Sequence, residues 1–381
     1  MARPLKVLFA ASECAPIAKT GGLADVVGAL PKALALEGHD VRVVIPRYAF
    51  ISAIGAARHP DPFGVPLGRG EAWCGILETR IPGTNVPLYL LEHDALFGRG
   101  YIYDPPGGYT TDNLARFGLL SRASLQLARY LGWTPDIVHV HDWPTAAVPI
   151  MLNTIEHRAP FLETATVLTI HNIAHQPRFP RGQLELLQVG SGVWRSDGVE
   201  DHGELNIFKG GLYHATLLTT VSPTYAQEIR SPIGGAGLAP VMNLRGGDLV
   251  GILNGIDEDA WNPRTDPHLD MRYAFDDLSG KAVSKRALQR ELHLVERRDV
   301  PLIGVVSRWN AQKGIDLVAD ALDEILALDC EVVMLGAGDQ DLEARLRHRS
   351  HLGGDRFRAW VGHNEALAHR IEAGADLFLM P

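Results

Sequence analysis

Cysteine is scarce in this chain of 381 residues: there are three, Cys14, Cys74 and Cys330, an odd number set far apart. They match no metal-ligand spacing and suit a reducing, cytoplasmic setting. Long apolar runs are missing as well, since no stretch reaches the roughly 18 residues that a membrane span requires. Arg3 and Lys6 ahead of VLFAA give the start a superficial likeness to a signal peptide, but SEC interrupts a short apolar run, which favours a first core strand. Positive charge is in deficit. Lys and Arg number 36 against 45 Asp and Glu, a formal net charge of −9, which argues against nucleic acid or an acidic membrane as the main partner. No G-x-x-x-x-G-K-[ST] occurs, which argues against a P-loop ATPase. Gly336-Ala337-Gly338 has Asp341 where the third glycine of G-x-G-x-x-G belongs, so a nicotinamide site is weakly supported. Low-complexity segments and short repeats are absent.

What is present reads as α/β, and the length predicts two such domains. Leu5 to Ala11 is an apolar run of strand length. Leu23, Val27, Leu30 and Leu34 then recur at steps of four, three and four, the stripe of a helix packed on a sheet. Pro31 predicts a kink in that helix, Gly38 its end, and Val41 to Ile45 the next strand. In this βαβ unit Gly21 and Gly22 fall at the helix N-terminus beyond a strand's carboxyl end, where anions bind, and Lys19 adds a mobile positive charge. The residue types alone leave open a plain βα turn with a solvated lysine.

The Gly- and Pro-rich stretch from Pro60 to Gly108 reads as short β pieces and surface loops. Thr111 or Asp112 is expected to cap a helix running to about Tyr130, with Leu114, Phe117, Leu120, Leu127 and Leu131 on one side. DIVHVH, TVLTI and LLTTV read as buried strands, and VGILNGIDEDAWNP as a crossing segment. From Val300 a second run begins: PLIGVVSRW, GIDLVADALDEIL, CEVVMLGAGD, NEALAHRIEAG and ADLFLMP alternate strand and helix. The boundary is expected near residue 250. Arg308 after one strand, with Lys313 and Gly314 ahead of a helix, repeats the cationic βα loop, and together they can converge on one anion. Ordinary exposed basic residues are the alternative. His139 and His141 alternate on a strand as ligands do in some metal hydrolases, or else are one core and one cleft histidine. Asp257-Glu258-Asp259 and Asp339-Gln340-Asp341 could serve as D-x-D metal clamps, or cap or open helices.

KTGGLADVVGALPKAL, YTTDNLARF, DIVHVHDWPTA, TIHNIAHQ, FKGGLYHATLLTTVSPTYAQEI, GILNGID, VSRWNAQKGIDL, LGAGD and HNEALAHRIEAGADLFLMP stand in order along the chain. With them it resembles bacterial glycogen synthases and plant starch synthases from residue 5 to residue 381. The resemblance implies a GT-B fold, with two Rossmann-like domains facing across a cleft: an acceptor-side domain over residues 1–250 and an incomplete sugar-nucleotide domain over 251–381. It implies transfer of glucose from ADP-glucose to the non-reducing end of an α-1,4-glucan such as glycogen, with retention and without metal or other cofactor. Lys19, Gly21 and Gly22 would meet the donor diphosphate, and Arg308 and Lys313 would form the phosphate pair of the second domain. His171 in TIHN would lie beside the glucose, with Asp142 in HDW shaping the sugar site. Asn254 would sit near glucose and hinge, and Tyr109 with Asn113 would line the acceptor side. His363 stands where relatives often carry a tyrosine, at a position expected to stack on adenine. Pro381 falls directly before the family's S-R-x-E-P-C-G stretch, so a longer natural chain is expected and little transfer by the 381 residues alone. A UDP-glucose enzyme and an inactive glucan-binding remnant are the rival functions.

Overall fold

A continuous apolar run after Lys6 builds β1 (Lys6–Ala10), followed by α1 (Gly22–Leu36) and β2 (Asp40–Pro46). The strands pair in parallel, Val7 beside Val41 and Phe9 beside Val43. The computed structural model describes residues 3–53, 55–105, 108–352 and 354–381, so Pro106 and Gly107 of the DPPGG stretch lie outside the described residues. α1 buries Leu23, Val27 and Pro31, the helix continuing through the proline, and Gly38 takes the left-handed conformation just past its end (φ +92°).

The stretch expected to give short β pieces and loops carries more sheet than that. β3 (Phe63–Leu67), β4 (Gly70–Arg80) and β5 (Pro87–Glu92) extend the sheet, with β4 spanning 11 residues and β5 lying parallel to β2. Ala72, Cys74 and Ile76 alternate onto the buried face of β4. Several glycines that suggested loops fall in the turns, as at Gly68 (φ +59°) and Gly83 (φ +73°). α2 (Asn113–Tyr130) follows Asp112, whose side chain pairs with Arg99 instead of capping the helix. Then come β6 (Ile137–His141), β7 (Ala165–Ile170), β8 (Leu217–Thr220) and β9 (Leu249–Gly251). The sheet order is β9-β8-β7-β6-β1-β2-β5-β4, parallel from β9 to β5, with β3 and the pair Ala57–Arg58 antiparallel to β4. From β1 the chain moves one way to β2 and later returns to β6 on the other side. The β1–β6 gap is therefore the topological switch point, where open α/β sheets bind ligands. Separate apolar clusters cover the two faces.

Contacts divide the chain into units at residues 1–255 and 256–381. The second unit holds α3 (Ser279–Glu291), β10 (Leu302–Val306), α4 (Ile315–Leu326), β11 (Glu331–Gly336), α5 (Gln340–Leu352), β12 (Phe357–Val361), α6 (Glu365–Gly374) and β13 (Leu377–Phe378). Its sheet order is β12-β11-β10-β13, all parallel. α4 and α5 pack on one face through Val318, Leu322 and Leu346, while α3 and α6 pack on the other through Leu288, Leu367 and Ile371. Among the described residues no helix is long and apolar enough to cross a membrane.

Candidate active site

The loop after β1 is organised by a buried carboxylate. Glu13 accepts hydrogen bonds from the Thr20 amide (2.5 Å), the Gly21 amide (3.3 Å) and the Thr20 hydroxyl (2.9 Å). Gly21 is extended (φ −162°) and caps α1 as its N-terminal neighbour, while Lys19 Nζ lies 2.9 Å from Asp25 Oδ1. A Cβ built on Gly21 or on Gly22 would meet nothing within 4 Å. The protein's own packing therefore does not demand glycine at either position, and the bare backbone faces open space. Gly28 differs: a Cβ there would lie 2.7 Å from the Ala15 carbonyl, so this glycine serves the close approach of α1.

Across the switch point β6 ends in His141, and Asp142 follows it directly. Asp142 is buried in the left-handed region (φ 51°), a strained setting for a residue with a side chain. Its Oδ1 accepts from the backbone amides of His171 (2.7 Å) and Asn172 (3.3 Å), which fastens the loop after β7 to the end of β6. Burial pushes the Asp142 carboxyl up to about 7, partly opposed by those amides. His171 Nε2 lies 3.1 Å from His141 Nδ1, and the His141 ring stacks on His139 at 4.5 Å. Phe9 of β1 packs against both rings of that pair. His139 continues the chain of contacts to Thr169 Oγ1 (2.7 Å). Burial holds His171 down to about 4 and His139 to about 3, and lowers His141 well below the usual histidine range. All three are neutral at pH 7. Of the two strand histidines, His141 is fully buried and His139 half-buried. Among the described residues no group of three or more His, Cys, Asp or Glu side chains is placed to hold a metal ion.

Asn113 is buried at the start of α2, its Oδ1 accepting from Arg116 Nη1 (2.7 Å) and its amide reaching Asp104 (3.3 Å). Tyr109 is exposed, and Asn254 is exposed in the segment after β9, so neither is drawn into the buried Asp142–His171 cluster. Asp257 Oδ1 accepts from the amides of Asp259 and Ala260, opening a turn and not a helix, whereas Asp339 accepts from Asp341 (2.9 Å) and starts α5.

In the second unit, Arg308 is exposed beyond β10, and Lys313 is exposed one residue before Gly314 (φ +64°) and α4. Asn310 shapes this loop by accepting from the Lys313 amide (3.0 Å). Trp309 turns inward and is fully buried. A Cβ on Gly336 would lie 1.9 Å from the Ser307 carbonyl, and one on Gly338 2.4 Å from that of Trp309. The G-A-G triplet is thus explained by the packing of two neighbouring βα loops. His363, with its ring 77% exposed and 3.5 Å from Glu365, stands beyond the next strand, β12. Arg308, Lys313 and His363 share the carboxyl edge of one sheet.

Residues 6–244 match the family model of the starch synthase catalytic domain. Across 100% of its length the chain is 49% identical to glycogen synthase 1 of Geobacter metallireducens, covering 76% of that protein. It is 47% identical to the glycogen synthase of Anaeromyxobacter sp., covering 99% of this chain and 78% of the relative. The chain belongs to the glycogen and starch synthase family. The catalytic domain of starch synthase IV from Arabidopsis thaliana, solved bound to ADP and acarbose, matches with a TM-score of 0.93 at 32% identity, over 100% of this chain and 78% of that one. The fold is accordingly GT-B, and the protein is a glycosyltransferase. Sequence reasoning missed three residues of this synthase that the structure ties to the β1 loop: Glu13, Tyr103 and Arg116. An acid directly after an apolar strand and an arginine amid the apolar stripe of α2 were the available signals.

Proposed function

We propose that the protein transfers glucose from ADP-glucose to the non-reducing end of an α-1,4-glucan, with retention at the anomeric carbon. Its likeness over the whole chain to a starch synthase domain bound to ADP and acarbose carries the reading. Residues 1–250 take the acceptor side and 251–381 the sugar-nucleotide side. Lys19 and the Gly21-Gly22 backbone form one phosphate contact, where open space at a helix N-terminus suits an anion. Arg308 and Lys313 form the other, a two-pronged guanidinium beside a compact ammonium. His363 stacks on the base, and Asn254, Tyr109 and Asn113 contact sugar and acceptor. The neutral His171 ring hydrogen-bonds a sugar hydroxyl, with Asp142 fixing its backbone.

The bond from the anomeric carbon to the β-phosphate oxygen breaks with its electron pair leaving on ADP. The acceptor hydroxyl attacks from the same face, and its proton passes to the departing phosphate. Fixed cations stabilise the charge that develops on that phosphate. The protein neither consumes nor supplies electrons. Three buried free cysteines fit a reducing cytoplasm. The test is incorporation of labelled glucose into glycogen from ADP-glucose and from UDP-glucose. Faster incorporation from ADP-glucose, into chains that an exo-acting α-1,4-glucosidase digests, is expected, and a preference for UDP-glucose would overturn the donor assignment.

A further inference from the structure

Glu13 is 2% exposed, and four donors converge on its carboxylate. Besides the Thr20 amide and hydroxyl and the Gly21 amide, the Tyr103 hydroxyl donates to Oε1 at 2.5 Å. The same phenol oxygen lies 2.9 Å from Ser12 Oγ. The Tyr103 carbonyl accepts from Arg116 Nη1 (2.9 Å), and that nitrogen also reaches Asn113. Arg116 is itself fully buried. A continuous line of hydrogen bonds therefore runs from the Thr20-Gly21 backbone through Glu13, Tyr103 and Arg116 to the first residue of α2.

Burying a carboxylate is unfavourable unless donors surround it, and an apolar side chain of similar size commonly serves stability as well. The Glu13 side chain is better explained by what it holds in place. It engages the amides of Thr20 and Gly21 and so fixes the stretch that carries Lys19 and the Gly21-Gly22 backbone, where a Cβ on either glycine would meet nothing within 4 Å. We propose that Glu13, supported by Tyr103, is a positioning residue for donor binding: it sets the Lys19–Gly22 loop in its phosphate-ready conformation and joins that loop to the Asn113 end of α2. The inference rests on the reading of Lys19–Gly22 as a phosphate loop.

Calorimetric titration with ADP and steady-state kinetics on the full chain and on Lys19→Ala, Glu13→Gln, Tyr103→Phe and the Lys19→Ala/Glu13→Gln double variant test it. Glu13→Gln replaces one acceptor oxygen by a donor facing other donors, so ADP affinity is expected to fall by about tenfold or more, as for loss of a hydrogen bond to a charged group. The KM for ADP-glucose rises with it, and the KM for glycogen stays within about twofold, a split that general loosening of the fold would not produce. Tyr103→Phe keeps both amide contacts and is expected to weaken ADP by roughly threefold. The double variant should bind ADP about as Lys19→Ala does, because residues acting through one loop are not additive.

If Lys19→Ala leaves ADP affinity unchanged, the phosphate-loop reading fails and this inference with it. If Lys19→Ala weakens ADP while Glu13→Gln and Tyr103→Phe do not, only the positioning role is overturned. Losses that multiply in the double variant overturn it as well. Should Glu13→Gln not fold, Tyr103→Phe at wild-type affinity is the overturning result.

Discussion

Burial decides which protons the residues at the switch point carry. His139, His141 and His171 all titrate below the unfolded histidine value of about 6.5. As pH falls below that value the unfolded chain takes up protons that the folded rings refuse, down to about 4 at His171 and about 3 at His139. Their contribution to stability is thus present at neutral pH and lost on acidification through that window. Asp142 works in the opposite sense. Its folded value of about 7 means that its contribution is present below the unfolded value and lost as pH rises through 7. His139→Gln removes one acid-labile term and leaves Asp142 untouched, so the fall in thermal midpoint between pH 7 and pH 5 should be shallower than in the wild type. Parallel curves would contradict the argument. At this scale the sequence was legible where polar residues stood at strand ends, as His171 and Asp142 do. It was opaque for Glu13 and Arg116, because their use depends on contacts from residues 90 and 13 positions away.

In the second unit the elements that carried an apolar period were readable, and those that did not were missed. α4 buries Ile315, Val318, Ala319, Leu322 and Leu326, a full stripe, whereas α5 buries Leu346 alone and α3 buries Ser284, Lys285 and Gln289 beside Leu288. β12 has one fully buried residue, Phe357, as suits the edge of its sheet. The two cationic βα loops yield two predictions. Gly22→Ala adds a methyl group into open space at the first residue of α1, where alanine is a better helix former, so the thermal midpoint should hold or rise. Glucose transfer should fall nevertheless, since the methyl occupies the side offered to the diphosphate. An active, stable variant would show that the bare backbone has no ligand to meet. Arg308→Lys keeps the charge and loses the two-pronged grip, and kcat for glucose transfer is expected to drop by ~10²-fold or more. Wild-type turnover would remove Arg308 from the site.

For the whole molecule, the two successive α/β runs could be read from alternating strand and helix patterns, because parallel strands buried on both faces appear as bare apolar runs. The sheet extension through β4 and β5 could not, since its glycines and prolines imitate loop composition. In the proposed mechanism the two basic loops alone neutralise the diphosphate, so transfer should survive EDTA. Activity lost in chelator and restored by Mn²⁺ or Zn²⁺ would contradict it. The central claim is that an adenine nucleotide sugar is the donor, and the most direct measurement is calorimetric titration of the protein with ADP and with UDP under identical conditions. ADP is expected to bind about tenfold tighter than UDP, because the larger purine stacks over more of the His363 ring than uracil does. Equal affinity for the two nucleotides, or tighter UDP, would contradict it.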